Sequence, residues 1–120
     1  MSIITLILAG IVAFEHLYIM YLETFATHSD TTSRVFNMSK EELQRDSVIN
    51  LFKNQGIYNG LIAVFLLYGI FTNSQLLVTV FVLNVFFAAV YGAVTANKKI
   101  IFTQGGPAIL TLFSLIISLF

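Results

Sequence analysis

Long apolar stretches, nearly free of charge, alternate along this chain with one polar segment and a few short polar breaks. The first stretch, Ser2 to Leu22, is interrupted only by Glu15 and His16. The second, Asn54 to Asn97, carries no formal charge and lies between Lys53 and Lys98. As one helix it would be roughly 66 Å long, about twice the thickness of the membrane hydrocarbon. Near its middle, Thr72-Asn73-Ser74-Gln75 is a turn-forming run, so the pattern predicts two helices joined by a tight hairpin. A last uncharged stretch runs from Ile100 to Phe120. The predicted fold is all-α: a four-helix transmembrane bundle forming one domain over 1–120, with spans at about 2–23, 54–72, 75–97 and 100–120.

The segment 24–53 is the one sizeable polar piece. Thr27 to Ser33 reads as a turn-forming stretch, whereas Ser39-Lys40-Glu41-Glu42 has the form of a capping box. From there no breaker intervenes before Lys53, so a short cytoplasmic helical extension is expected to run unbroken into span two. No Lys or Arg precedes Arg34, and Tyr21-Leu22-Glu23 is too bulky for a cleavage site, so the first stretch is expected to be a true span rather than a signal peptide. Arg34, Lys40, Arg45 and Lys53 fall between spans one and two, and Lys98 and Lys99 between spans three and four. All basic residues thus share one side. The positive-inside rule makes that side cytoplasmic and both termini extracytoplasmic.

Composition narrows the function classes. Hydrophobic residues make up 58% and charged residues 10%, too few charges to coat a water-soluble domain. Six Lys+Arg balance six Asp+Glu, which leaves no basic face for nucleic acid. The absence of cysteine excludes disulfides, thiolate nucleophiles and cysteine-based zinc sites. Glu15, His16 and Glu23 follow no metal-ligand spacing, and no phosphate loop or nucleophile elbow is present, so neither metal nor cofactor is expected.

Ionisable and amide groups inside apolar spans are the candidate chemistry. Glu15 is roughly 12 Å below the level of Glu23 along a helix. Asn59 is roughly 7–9 Å inside Lys53, Tyr91 roughly 10 Å inside Lys98 and Gln104 roughly 7 Å inside Lys99. Glu15, His16, Asn54, Gln55, Tyr58, Asn59, Tyr91 and Gln104 are therefore predicted to line one polar wedge near the cytoplasmic side, with Glu23 at the boundary paired to a base such as Arg34. Amides and hydroxyls of membrane helices also serve as interhelical glue, the plainest role for Asn84. Gly56 and Gly60, and the stripe Ala88, Gly92 and Ala96, have the spacing of close helix contacts. Pro107 must break span four or begin it at the first turn.

Four motifs in order carry a resemblance: Glu15-His16-Leu17-Tyr18-Ile19-Met20-Tyr21-Leu22-Glu23, Asn54-Gln55-Gly56-Ile57-Tyr58-Asn59-Gly60, Tyr91-Gly92-Ala93-Val94-Thr95 and Gln104-Gly105-Gly106-Pro107-Ala108. With them the chain resembles, over nearly its whole length, the bacterial membrane-protein family called domain of unknown function 1304. That resemblance implies four membrane helices in a bacterial cytoplasmic membrane and no stated activity. A fainter likeness to DoxX-like proteins and to the eicosanoid and glutathione membrane enzymes is analogy alone. Those enzymes pair an Asn early in helix two with a base and an acid absent here.

Three functions fit these residues. A binding or carrier protein would take a small or lipid-like molecule into the polar wedge, with membrane lipids as its surroundings. A proton-coupled transporter would titrate Glu15 or His16, and with so few helices it would need to be a homo-oligomer. An intramembrane enzyme would use Glu15 as acid or base, without a recognisable nucleophile. The binding role is the expectation.

Overall fold

The computed structural model describes residues 1–96 and 100–118, and among these helices joined by short turns are the regular structure, with no strand. The elements are α1 (Ile3–Met20), continued by a π-helical turn (Tyr21–Phe25), α2 (Asp30–Phe36), a 3-10 turn (Glu42–Gln44), α3 (Asp46–Phe71), α4 (Gln75–Thr95), α5 (Ile100–Thr103) and α6 (Gly105–Ile117). Among the described residues three stretches are long and apolar enough to cross a membrane: Ile3–Phe25, Asp46–Phe71 and Gln75–Thr95. Large apolar side chains stand exposed along them, among them Ile3, Phe14, Phe65, Phe71 and Val94. Such a surface suits lipid rather than water. The last apolar segment is divided at Gln104, and the 13 residues of α6 make a helix roughly 20 Å long, shorter than the hydrocarbon.

The chain divides into two compact units, Met1–Glu15 with Ala63–Phe120, and His16–Ile62. In the first, α4 packs on α5 and α6 through an apolar ladder of Val78, Val82, Val85 and Ala89, with Ala108 and Leu115 also buried. Asn73 adopts a left-handed conformation (φ 52°) that ends α3, and the Ser74 hydroxyl caps α4 by accepting from the Leu77 amide, so the expected hairpin is present. Gly69 permits this fold-back, because a Cβ there would be 3.0 Å from Leu77 Cβ. Pro107 occupies the first turn of α6, where its missing N–H is harmless.

The second unit orders the segment read as loop and extension. Ser29 caps α2 by accepting from the Thr32 amide, and Asn37 (φ 54°) closes it with Met38 N–H donating to the Ser33 carbonyl at 3.0 Å. Thr27 to Ser29 is thus turn, as expected, whereas Asp30 to Ser33 is already the start of α2. The capping box is half formed: Ser39 Oγ accepts from the Glu42 amide, but the Glu42 carboxylate turns forward to Arg45. Arg45 is extended (ψ 132°) and separates this single turn from α3, contrary to the unbroken helix expected. Fully buried Leu43 anchors the turn inward, and Asp46 starts α3 afresh at the positive end of its dipole. The basic pair Lys98 and Lys99 lies outside the described residues.

Candidate functional site

The most unusual group in the second unit is Glu23. It lies in the π-helical turn, and its side chain is fully buried. A π turn widens the helix and leaves carbonyls poorly bonded, a geometry often found at functional sites. Here Thr27 Oγ1 donates to the Glu23 carbonyl at 2.7 Å, and Thr32 Oγ1 donates to the carbonyls of Ala26 at 2.7 Å and Leu22 at 3.3 Å. The backbone of the turn is thus satisfied by two buried threonines. The side chain is not. Glu23 Oε1 accepts from Asn59 Nδ2 at 2.6 Å, whereas Oε2 is buried with no hydrogen-bond partner. Buried polar atoms are nearly always bonded, so an orphaned carboxyl oxygen calls for a reason.

Glycine brings the two helices this close. A Cβ on Gly56 would be 3.1 Å from both Glu23 Cβ and the Thr24 amide nitrogen, and one on Gly60 would be 3.1 Å from Met20 Cγ. The close contact expected of this glycine pair is present. Beside it, Thr24, Phe25, Ala26, Thr27, His28, Ser29 and Lys53 line an open cavity of about 230 Å³.

The inward glycines also fix where the other amides of α3 point. At about 100° per residue, Asn59 is about 60° from the Gly56 direction, Gln55 about 100°, and Asn54 and Tyr58 about 160°. Accordingly Asn59 is half-buried, while Asn54, Gln55 and Tyr58 are exposed, Asn54 donating to the Asn50 carbonyl. Tyr91 on α4 is also exposed. His16 is buried and engaged in an interaction of its own. In the first unit Glu15 is half-buried with Oε1 buried and unbonded, and half-buried Gln104 precedes α6 without capping it. Of the eight residues expected to face inward, Asn54, Gln55, Tyr58 and Tyr91 therefore face outward. Glu23 does not pair with Arg34, which donates to Thr31 Oγ1 instead. The stripe of Ala88, Gly92 and Ala96 is not a buried contact face either, since Ala88 and Ala96 are exposed and Ala89 points inward. No group of three or more metal-ligating side chains occurs among the described residues.

Missing Glu23 as an interior group has a simple cause. Its partner is 36 residues away in sequence, and the polar residues after it look like a membrane boundary. The nearest signal was the glycine pair, which marks the level at which α3 touches the end of α1.

These features define an all-helical chain with helices of membrane-spanning length and a buried carboxyl–amide pair. The chain belongs to the family described as protein of unknown function (DUF1304), which matches residues 10–116. It is similar to the uncharacterized protein YpaA of Lactococcus lactis subsp. lactis (strain IL1403), 61% identical over 116 residues, covering 95% of this chain and 98% of that protein. No solved structure matches it.

Proposed function

We propose that this is a multi-pass membrane protein that holds a small or lipid-like molecule through the Glu23 carboxyl, near the cytoplasmic face. One observation carries this reading: a fully buried carboxyl with one oxygen fixed by Asn59 and the other unbonded. A hydrogen-bonding ligand group would supply the missing partner, and Asn59 would hold the carboxyl in position. Removing an unsatisfied buried polar atom is worth about 1–3 kcal/mol, a useful share of binding energy for a small molecule. The site was expected to comprise Glu15, His16, Asn54, Gln55, Tyr58, Asn59, Tyr91 and Gln104; Asn59 is retained from that set and Glu23 becomes its centre. In this reading the last apolar segment completes four passes and the basic loops face the cytoplasm.

Native mass spectrometry of protein extracted in mild detergent tests the binding. Wild type and Glu23→Gln are expected to retain a bound small molecule, and Glu23→Ala and Asn59→Ala to lose it. A wild-type chain that carries nothing, and whose unfolding temperature bacterial lipid extract leaves unchanged, overturns the reading. Orientation is tested separately, since the chain has no cysteine of its own. An impermeant maleimide applied to intact cells should label a cysteine added after Phe120 and spare Ser39→Cys.

A further inference from the structure

On α4 the outward face is continuous: Val80, Asn84, Phe87, Ala88 and Tyr91 are all exposed. They fall within about 100° of arc at 3.6 residues per turn. Four of them suit lipid, three apolar and Tyr91 an aromatic near a helix end. Asn84 does not. It is the tenth of the 21 residues of α4, within about 1.5 Å of the helix midpoint, and makes no hydrogen bond with its side chain. Hydrocarbon offers an amide neither donor nor acceptor, so an exposed side chain at this depth keeps both needs open.

We infer that this face of α4 is the contact between two copies of the chain, with Asn84 of each copy on the two-fold axis. An amide is both donor and acceptor, so it is complementary to itself: each Nδ2 donates to the other copy's Oδ1, and both are satisfied by one symmetric contact. The position within the helix favours the same occupant. A residue at mid-helix meets its own equivalent when two identical spans cross at their centres, whereas an unrelated partner would need a polar group at that depth. Ala88, one turn away on the same face, keeps the helices close enough for the amides to meet. The inference rests on α4 being a membrane span and is independent of the Glu23 site.

Disulfide cross-linking in native membranes tests it without background, because the chain is free of cysteine. Ala88→Cys and Val80→Cys should form covalent dimers, while Phe113→Cys, exposed on α6, should not. Adding Asn84→Leu to Ala88→Cys should weaken dimerisation about tenfold in a detergent dilution series, the scale of two interhelical hydrogen bonds. Asn84→Gln should retain it. Leucine at a lipid-facing position does not endanger folding, so a loss is specific. Equal cross-linking at Ala88→Cys and Phe113→Cys, or a dimer indifferent to Asn84→Leu, overturns the contact. Rapid labelling of Asn84→Cys by a water-soluble maleimide overturns it through the span itself.

Discussion

The two compact units solve helix packing in different ways. Met1–Glu15 with Ala63–Phe120 is held by apolar side chains of middle size, Val78, Val82 and Val85 from α4 with Ala9, Val12 and Ala108 also buried, and its buried hydroxyls are paired. Thr5 Oγ1, for example, is 2.8 Å from Ser114 Oγ and 2.9 Å from Ser2 Oγ. His16–Ile62 instead uses glycine for close approach and buries a carboxyl, two threonines and a histidine. Lipid tails are as apolar as valine, so a valine ladder gains from packing alone. A buried carboxyl gains nothing unless something bonds it. The orphaned oxygens of Glu23 in the second unit and of Glu15 in the first are the groups that packing alone does not explain.

Glycine gives the largest contrast. Gly56→Leu is expected to destabilise by about 3 kcal/mol, because its Cβ meets backbone at the Thr24 nitrogen, which cannot move aside as a side chain would. Gly10, in the first unit, has nothing within 4 Å of a Cβ, so Gly10→Ala is expected to stabilise by up to about 1 kcal/mol through helix propensity. Thermal unfolding in detergent measures both. Equal losses at the two glycines would erase the distinction between the units.

Next in size is the carboxyl itself. Glu23→Ala leaves the Asn59 amide unpaired and is expected to cost about 2 kcal/mol. Replacing both partners by leucine removes the polar groups together, so Glu23→Leu with Asn59→Leu should match or exceed wild-type stability. That pairing of restored stability with lost ligand retention is what a functional carboxyl predicts. A double variant as unstable as Glu23→Ala would make the pair structural glue. For comparison, Thr5→Val in the first unit breaks a network of neutral hydroxyls and should cost about 1 kcal/mol by the same measurement.

How much of this was legible from the residues differs between the units for the same physical reason. The hairpin at Asn73, the first-turn position of Pro107 and the glycine contact follow from local rules of backbone and spacing. Helix α2 was legible too, since Ser29-Asp30 is a cap with an acidic first turn and Asn37 a left-handed stop, but its polar composition reads equally as turn. The rotation of α3 was not. Asn54, Gln55, Tyr58 and Asn59 are alike as residue types, and only the inward demand of Gly56 and Gly60 selects Asn59 from among them. Counting depth along a helix says nothing of rotation, and level without rotation cannot tell pocket from lipid.

The smallest expected effect sharpens the account of the polar segment. Lys40 forms an ion pair with Asp30, tying the start of α2 to the stretch before the 3-10 turn. A hydrogen bond from Lys40, and then its positive charge, holds the Asp30 carboxyl below its ordinary value of 3.8. A carboxyl depressed in the folded state contributes stability that is fully present above its unfolded value and is lost as pH falls through the folded one. The contribution is therefore complete at neutral pH and disappears only in acid. Both groups are exposed, so water and salt screen the pair and global unfolding should scarcely register it. The local measurement is carbon-detected NMR of the Asp30 carboxyl in micelles. Its midpoint should lie below 3.8 in wild type and return toward 3.8 in Lys40→Met. An unchanged midpoint in that variant would mean that Lys40 does not hold Asp30. The fold of this segment would then rest on Leu43 and the caps of α2 alone.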